Sequence, residues 1–295
     1  MPYRTDLADV SHACCLSEGK AEQIPGVTAE EQWDDGFAVT IVSVLDEQGA
    51  KAIGKPIGTY STIRLDPLIQ RKEDAFSRAC TIFSRHLRGL LPKTAKEILV
   101  AGIGNPSITP DAIGPLAVQH VMVTRHMTKA MPAYFSRFRP VSAVSPGVLG
   151  TTGIETGEVL KGVVSRSHPD CVIAIDALAA RSTDRLCTTI QLSDTGIVPG
   201  SGIGNARTAV DHATLGVPVI AVGVPTVVDA ETFVWEHLEQ GTAPGPTLSR
   251  HTKQMMVTPR EIDTRVADLS KLIGYGINFA LHPDLTRSDM ELFLS

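Results

Sequence analysis

Four short apolar runs in the sequence each lead to a carboxylate, and the residues there limit the chemistry the chain can do. Residues 97–103 (EILVAGI) lead into Gly104-Asn105-Pro106-Ser107-Ile108-Thr109-Pro110-Asp111, and 171–175 (CVIAI) lead into Asp176. Residues 188–192 lead to Asp194, and 217–222 (VPVIAV) lead through Gly223 to Asp229. Near-continuous apolar runs of this length read as strands covered on both faces, as in parallel sheets wrapped by helices. In such sheets ligands bind beyond the carboxyl ends of the strands. Asp111 and Asp176 are therefore the leading candidates. If their strands are neighbours, both side chains reach one rim, and two poorly solvated carboxylates there do not easily both ionise. One keeps its proton while the other takes a proton from water, a route to peptide hydrolysis that needs no metal or covalent nucleophile. The same residues also have structural readings. Asp111 can cap the helix that follows it, and Asp176 can pair with Arg181.

Other motifs carry less. Gly102-x-Gly104 lacks the third glycine of a dinucleotide fingerprint, since Ser107 stands there, and Pro106 and Pro110 obstruct the helix start that would cradle a pyrophosphate. Gly200-Ser201-Gly202-Ile203-Gly204-Asn205 is not followed by the Gly-Lys-Ser/Thr of a phosphate loop. Ala143-Val144-Ser145-Pro146-Gly147 approaches a nucleophile elbow, but proline follows the serine and has no N–H for an oxyanion, so a serine hydrolase is a weaker alternative. No His pair has metal-ligand spacing such as H-E-x-x-H. Asp194, Asp229 and Glu155 are secondary candidates, with a turn or a helix start as the simpler role for Asp194 and Glu155. The Gly-, Ser- and Thr-rich segments 143–153 and 195–205 are suited to offering main-chain groups to an extended peptide.

The elements that must position these residues follow from pattern and composition. Residues 1–36 are polar and without sustained period, so they are expected to form an N-terminal arm, extended or loosely helical, ahead of one α/β domain over 37–295. Strands are expected at 37–45 and 59–65, with a turn at 46–49 between them. A packing helix is expected to open at Asp66-Pro67 and carry Ile69, Phe76, Cys80, Phe83 and Leu87 on one face. Further helices are expected at 115–125 and 154–166, and a loop at 236–258. The last helix is expected to open on Thr258-Pro259-Arg260-Glu261 as a capping box, with Ile262, Val266, Leu269, Ile273, Ile277 and Leu281 as its apolar stripe. With 27 basic against 32 acidic residues the net charge is −5, which argues against a general nucleic-acid binder. The 5 cysteines are odd in number and include no C-x-x-C, so a disulfide framework and a zinc ribbon are both disfavoured and reduced thiols are expected. No signal core and no membrane-length apolar run is present, so a soluble, cytoplasmic protein without membrane partners is expected.

Several long blocks resemble the germination protease (spore protease) family. They are TPDAIGPLAVQHVMVTRH (109–126), RPVSAVSPGVLGTTGIET (139–156), VIAIDALAARS (172–182), QLSDTGIVPGSGIGN (191–205), GVPVIAVGVPTVVDA (216–230) and MMVTPREID (255–263). RTDLA (4–8) and LDEQGAKAIGKPIGTY (45–60) match as well. The Gly-Ile-Gly-Asn…Asp pattern at 102–111 is similar to the motif of hydrogenase maturation proteases. The resemblance implies a three-layer α/β/α sandwich with a mostly parallel central sheet, phosphorylase/hydrolase-like in class. It implies an endopeptidase that degrades small acid-soluble spore proteins at germination, in the spore core. By motif match the family's two proposed catalytic aspartates fall on Asp111 and Asp176. Its class is either aspartic-type or metal-dependent. The hydrogenase proteases use a Glu/Asp/His metal cluster with no clear histidine counterpart here, so no cofactor is expected, no metal ligand is assigned, and a divalent metal stays as the alternative. The resemblance further implies a self-processing zymogen and a homotetramer. Only three residues precede Arg4, which implies a shortened propeptide, and 236–254 looks shorter than the corresponding family segment. An inactive scaffold or zymogen form is the alternative outside catalysis.

Overall fold

The computed structural model describes residues 5–17, 24–204, 206–237, 255–286, 288, 289 and 292. Its strands are β1 (Val27–Asp34), β2 (Phe37–Val44), β3 (Gly58–Arg64), β4 (Ile98–Gly102), β5 (Val141–Val144), β6 (Cys171–Ala180), β7 (Thr189–Ser193), β8 (Val219–Asp229) and β9 (Met256–Val257). They form one sheet in the order β1-β2-β3-β7-β8-β6-β4-β5, with β9 added to β8. The four central and edge strands β8, β6, β4 and β5 run parallel, whereas β1, β2, β3 and β7 join each other and β8 antiparallel. The expected α/β sandwich is thus built on a mixed sheet, whose parallel half holds the apolar runs at 97–103, 171–175 and 217–222.

Alternation along these strands supplies both halves of the core, because successive side chains leave opposite faces. Cys171, Ile173 and Ile175 face one helical layer together with Ile98, Val100, Ile220 and Val222. That layer contains three helices named here α3 (Ala75–Leu90), α4 (Ile113–Val118) and α7 (Ile262–Leu281), after α1 (Ala8–Ser17) and α2 (Glu47–Ile53). Val172 and Ala174 face the other side, against Leu160 of α5 (Thr156–Ser167) and Leu215 of α6 (His212–Leu215). On that same side α1 and α2 cover β2 and β3 through Ala8, Val42, Val44, Ile53 and Tyr60. Every residue of the stripe expected on the last helix is buried, from Ile262 to Leu281.

Several expectations change. Residues 27–34, read as part of a polar arm, form β1, paired along its whole length with β2. As an edge strand it leaves all but its ends exposed, so it has no apolar alternation to betray it. The turn at 46–49 is instead the start of α2: the Asp46 carboxylate accepts from the Gly49 N–H at 2.8 Å, a side-chain cap. The helix expected from Asp66 makes one turn (Asp66–Ile69), and α3 restarts at Ala75. Asp66 pairs with Arg64 at 3.0 Å, and Ile69 is on the surface. No capping box opens α7, because the Thr258 hydroxyl donates to the Thr226 carbonyl instead. The helix expected at 115–125 is the shorter α4, followed by a separate turn of helix at Arg125–Ala130. Of the loop expected at 236–258, residues 238–254 lie outside the described residues, and Met256–Val257 pair with β8. No helix among the described residues is long and apolar enough to cross a membrane.

Candidate active site

Asp176 does not end its strand. β6 continues four residues past it, still paired with β8 from Asp176↔Gly223 to Ala180↔Val228 with a register shift after Leu178, while the β4 ladder stops at Gly102↔Ile175. Asp176 therefore sits at the first position where β6 has lost its β4 neighbour. Its side chain is 4% exposed. The next residue, Ala177, is the one position of β6 that is only partly buried, and it packs against the core on the opposite face of the sheet.

The loop after β4 fills the place that strand vacates. Gly104 turns it with φ +129°, a conformation that side chains other than glycine rarely adopt, and a Cβ there would lie 2.0 Å from the Asp111 carbonyl oxygen. The loop thus folds back tightly enough to carry Asp111 over the strand ends. Asp111 closes a 3-10 turn, Thr109–Asp111. Its carboxylate accepts from the Asn105 N–H at 2.7 Å rather than capping α4, which begins at Ala112 without a side-chain cap.

Among the described residues the charges acting on Asp176 are negative. Burial pushes the Asp176 carboxyl well above the ordinary carboxylate range, and the charges of Asp111 and then Asp6 push it further; the Ala177 N–H, donated to its Oδ1 at 2.9 Å, opposes them. Asp111 is also raised, by burial, against the Asn105 N–H. The ion pair with Arg181 does not form: among the described residues the charges acting on Asp176 are Asp111 and Asp6. The fold therefore brings the two sequence candidates into one electrostatic unit whose protons are shared properties of the pair. Burial bears more heavily on Asp176, and Asp111 is the more accessible of the two.

Beside the pair lies a chamber of about 450 Å³, on the sheet face to which Asp176 and Leu178 both point. Asp6, Lys55, Tyr60, Leu178, Gln191 and Gly223 are among its lining. Neither aspartate of the pair lines it; it begins one position along, at Gly223 and Leu178. Residues 195–198, 201 and 202 of the segment expected to meet substrate contribute to its wall, whereas none of 143–153 does.

The secondary candidates go elsewhere. Asp194 accepts from the Thr59 N–H at 2.8 Å and joins β7 to β3. Asp229 accepts from Glu231 and Thr232 N–H groups at 3.0 and 3.2 Å, capping the helix after β8. Glu155 starts α5 without a side-chain cap and pairs with Arg207 at 3.9 Å. Ser145 is exposed just after β5. All five cysteines are free thiols. Among the described residues no three His, Cys, Asp or Glu side chains come together as metal ligands. Sequence reasoning missed Asp6 and Lys55, which come from a segment and a loop with no apolar signal.

Comparison with known proteins bears on the same residues. The family model described as germination protease matches residues 7–240. A germination protease of Caldanaerobacter subterraneus subsp. tengcongensis is 43% identical, with 99% of this chain and 98% of that protein aligned. One from Clostridium perfringens is 41% identical over 99% of each, and one from Bacillus cereus is 37% identical over 97% of this chain and 95% of its own. Among solved structures, the [NiFe] hydrogenase maturation protease HycI of Thermococcus kodakarensis KOD1 has a TM-score of 0.37 and 17% identity, covering 65% of this chain and 99% of that one, a likeness too slight to argue from. A match across most of the chain, with relatives aligned from end to end, shows that this chain belongs to the germination protease family and is a peptidase.

Proposed function

We propose that this peptidase cleaves small acid-soluble spore proteins during germination, with Asp111 as base and Asp176 as acid acting on one water molecule. The observation that supports the pair is the burial of Asp176 at the point where β6 leaves β4, with the Asp111 charge acting on it. Asp111 takes a proton from water as its oxygen attacks the scissile carbonyl carbon, and Asp176 gives its proton to the carbonyl oxygen. The resulting diol collapses as Asp111 hands its proton to the departing nitrogen and Asp176 recovers one from a hydroxyl. Both carboxyls end as they began. A substrate that is disordered when released from DNA reaches such a rim without unfolding a core of its own.

The test is cleavage of a purified small acid-soluble spore protein by wild type, Asp111→Asn and Asp176→Asn, each with and without chelator. Each substitution is expected to slow turnover by about 10²–10⁴-fold while the protein stays folded, and chelator is expected to have no effect. Near-normal turnover by both variants refutes the pair. Loss of wild-type activity in chelator favours a metal-dependent peptidase, and a wild type that cuts nothing favours the zymogen or scaffold form.

A further inference from the structure

Gln191, Gly223 and Asp176 stand in one row across β7, β8 and β6, paired Gln191↔Gly223 and Asp176↔Gly223. Paired residues of neighbouring strands point to one face, so the Gln191 carboxamide and the Asp176 carboxyl share a face with only a glycine between them. That glycine cannot be replaced without displacing a neighbour, since a Cβ on Gly223 would lie 2.4 Å from Leu178 Cδ1. Gln191 is buried and lines the chamber, and the proposed reaction leaves it unused.

A buried carboxamide needs partners for both of its ends. Gln191 Oε1 accepts from the Ala8 N–H at 2.7 Å, and Nε2 donates to the Asp6 carbonyl at 3.1 Å. Lys55 Nζ, at the chamber wall, donates to the Thr5 carbonyl at 3.0 Å, and the Ala179 carbonyl accepts from the Asp6 N–H at 3.0 Å. All four bonds go to main-chain groups. Every peptide carries such groups, so these contacts select an extended chain and not the side chains of residues 5–8. Asp6 adds two bonds of its own: its carboxylate accepts from the Ala179 N–H at 2.9 Å and from the Ser201 hydroxyl at 2.8 Å.

A carbonyl and the N–H two residues on face the same way from an extended chain, which is the spacing a neighbouring strand bonds. We propose that the chamber is the subsite for the substrate's main chain and that Gln191 holds it there: the carboxamide takes one carbonyl, and the N–H two residues on, of an extended substrate in place of those of Asp6 and Ala8. The inference deepens the reading of Asp111 and Asp176 as the acid–base pair and rests on it. Substrate and residues 5–8 then take turns at Gln191, and substitution separates them. Asp6→Ala removes the carboxylate bonds that hold residues 5–8 and leaves every proposed substrate contact in place. Gln191→Met keeps the length of the side chain and removes both of its bonds. Gln191→Glu keeps an acceptor for the N–H and loses the donor to the carbonyl.

The experiment measures Kd for a labelled small acid-soluble spore protein on the full chain carrying Asp176→Asn, so that binding is read without cleavage, and kcat and KM on chains that keep Asp176. Both are measured in the Asp6→Ala background, alongside melting temperature. Gln191→Met is expected to raise Kd and KM about 10-fold, the effect of two lost hydrogen bonds, with little change in kcat. Gln191→Glu is expected to raise Kd as far or further, because an oxygen then faces the carbonyl. Peptides cut from the same spore protein, each with one N-methylated amide, supply the coupling. At one position methylation is expected to weaken binding when Gln191 is present and to add nothing in Gln191→Met. Should Gln191→Met be unfolded, Gln191→Glu decides by its Kd. An unchanged Kd in the Gln191 variants overturns the inference, as does additive loss at every methylated position or an absence of binding by every chain. Asp176→Asn separates the two readings: full turnover with it dismisses the acid–base pair while the Kd comparison still stands, and slowed turnover with unmoved Kd keeps the pair and dismisses Gln191.

Discussion

Asp176 is a costly residue for the fold, and in the proposed reaction it is the acid. A carboxyl raised by burial binds its proton in the native state at pH values where the unfolded chain has released it. Stability is therefore lost as pH rises from the ordinary Asp value of 3.8 through the raised native value, and that loss remains at neutral pH. Asp176→Asn has no such charge to bury. It is expected to melt higher than wild type at neutral pH, with the difference vanishing near pH 3, as thermal unfolding across pH would record. A variant that gains stability while losing turnover is the signature of a group held out of its preferred state for chemistry. The pair was legible in the sequence because each aspartate follows an apolar run, but its polarity was not. Which member keeps the proton more firmly depends on burial and on the neighbouring charges, and among the described residues those acting on Asp176 are Asp111 and Asp6 rather than Arg181.

At the scale of elements, the loop after β4 carries the strongest constraint. Gly104→Ala places a methyl against the Asp111 carbonyl in a backbone conformation that disfavours any side chain. It is expected to destabilise the protein by about 1–3 kcal/mol and to cut turnover far more than that loss explains, by moving Asp111; denaturant titration beside kinetics reads both. At the other end of the core, α7 finishes at His282, which is buried against Phe138 with neither ring nitrogen hydrogen-bonded. Burial, aided by Arg139, lowers its pKa to about 4. The unfolded chain takes up a proton near 6.5 and the native state does not, so stability falls as pH drops from about 6.5 to 4. The loss amounts to roughly 3 kcal/mol. His282→Leu is expected to remove this acid sensitivity, seen as a flatter unfolding free energy between those pH values. The helices and strands of the parallel half were legible because periodicity and apolar length report burial. β1 was not, since a strand exposed on both faces has no alternation, and the start of α2 was set by the Asp46 carboxylate finding the Gly49 N–H, whereas α3 and α7 begin without a side-chain cap.

For the whole molecule, one sheet joins an antiparallel half to a parallel half, and the N-terminal segment crosses from one to the other. Leu7 is fully buried, and Asp9 pairs with Arg185 at 3.1 Å with side-chain exposures of 6% and 19%. Removing Asp9 takes the buried partner from Arg185 and leaves it the more exposed Asp184, 3.7 Å away. Asp9→Ala is therefore expected to cost about 1–3 kcal/mol and to lower the melting temperature of the whole protein rather than of a local unit, as calorimetry would show. By itself the sequence determined the class of fold, the strands at its centre, the family and the two carboxylates worth testing. These depend on local hydrophobic pattern and on motif, both of which are written along the chain. Tertiary structure alone decided that β6 outruns β4, that the Asp176 carboxyl is buried and raised, and that Asp6 reaches Ala179 across 173 residues of sequence. The physical reason is that a proton's free energy and a strand's open edge are set by neighbours in space, and nothing in the local sequence around either aspartate specifies those neighbours.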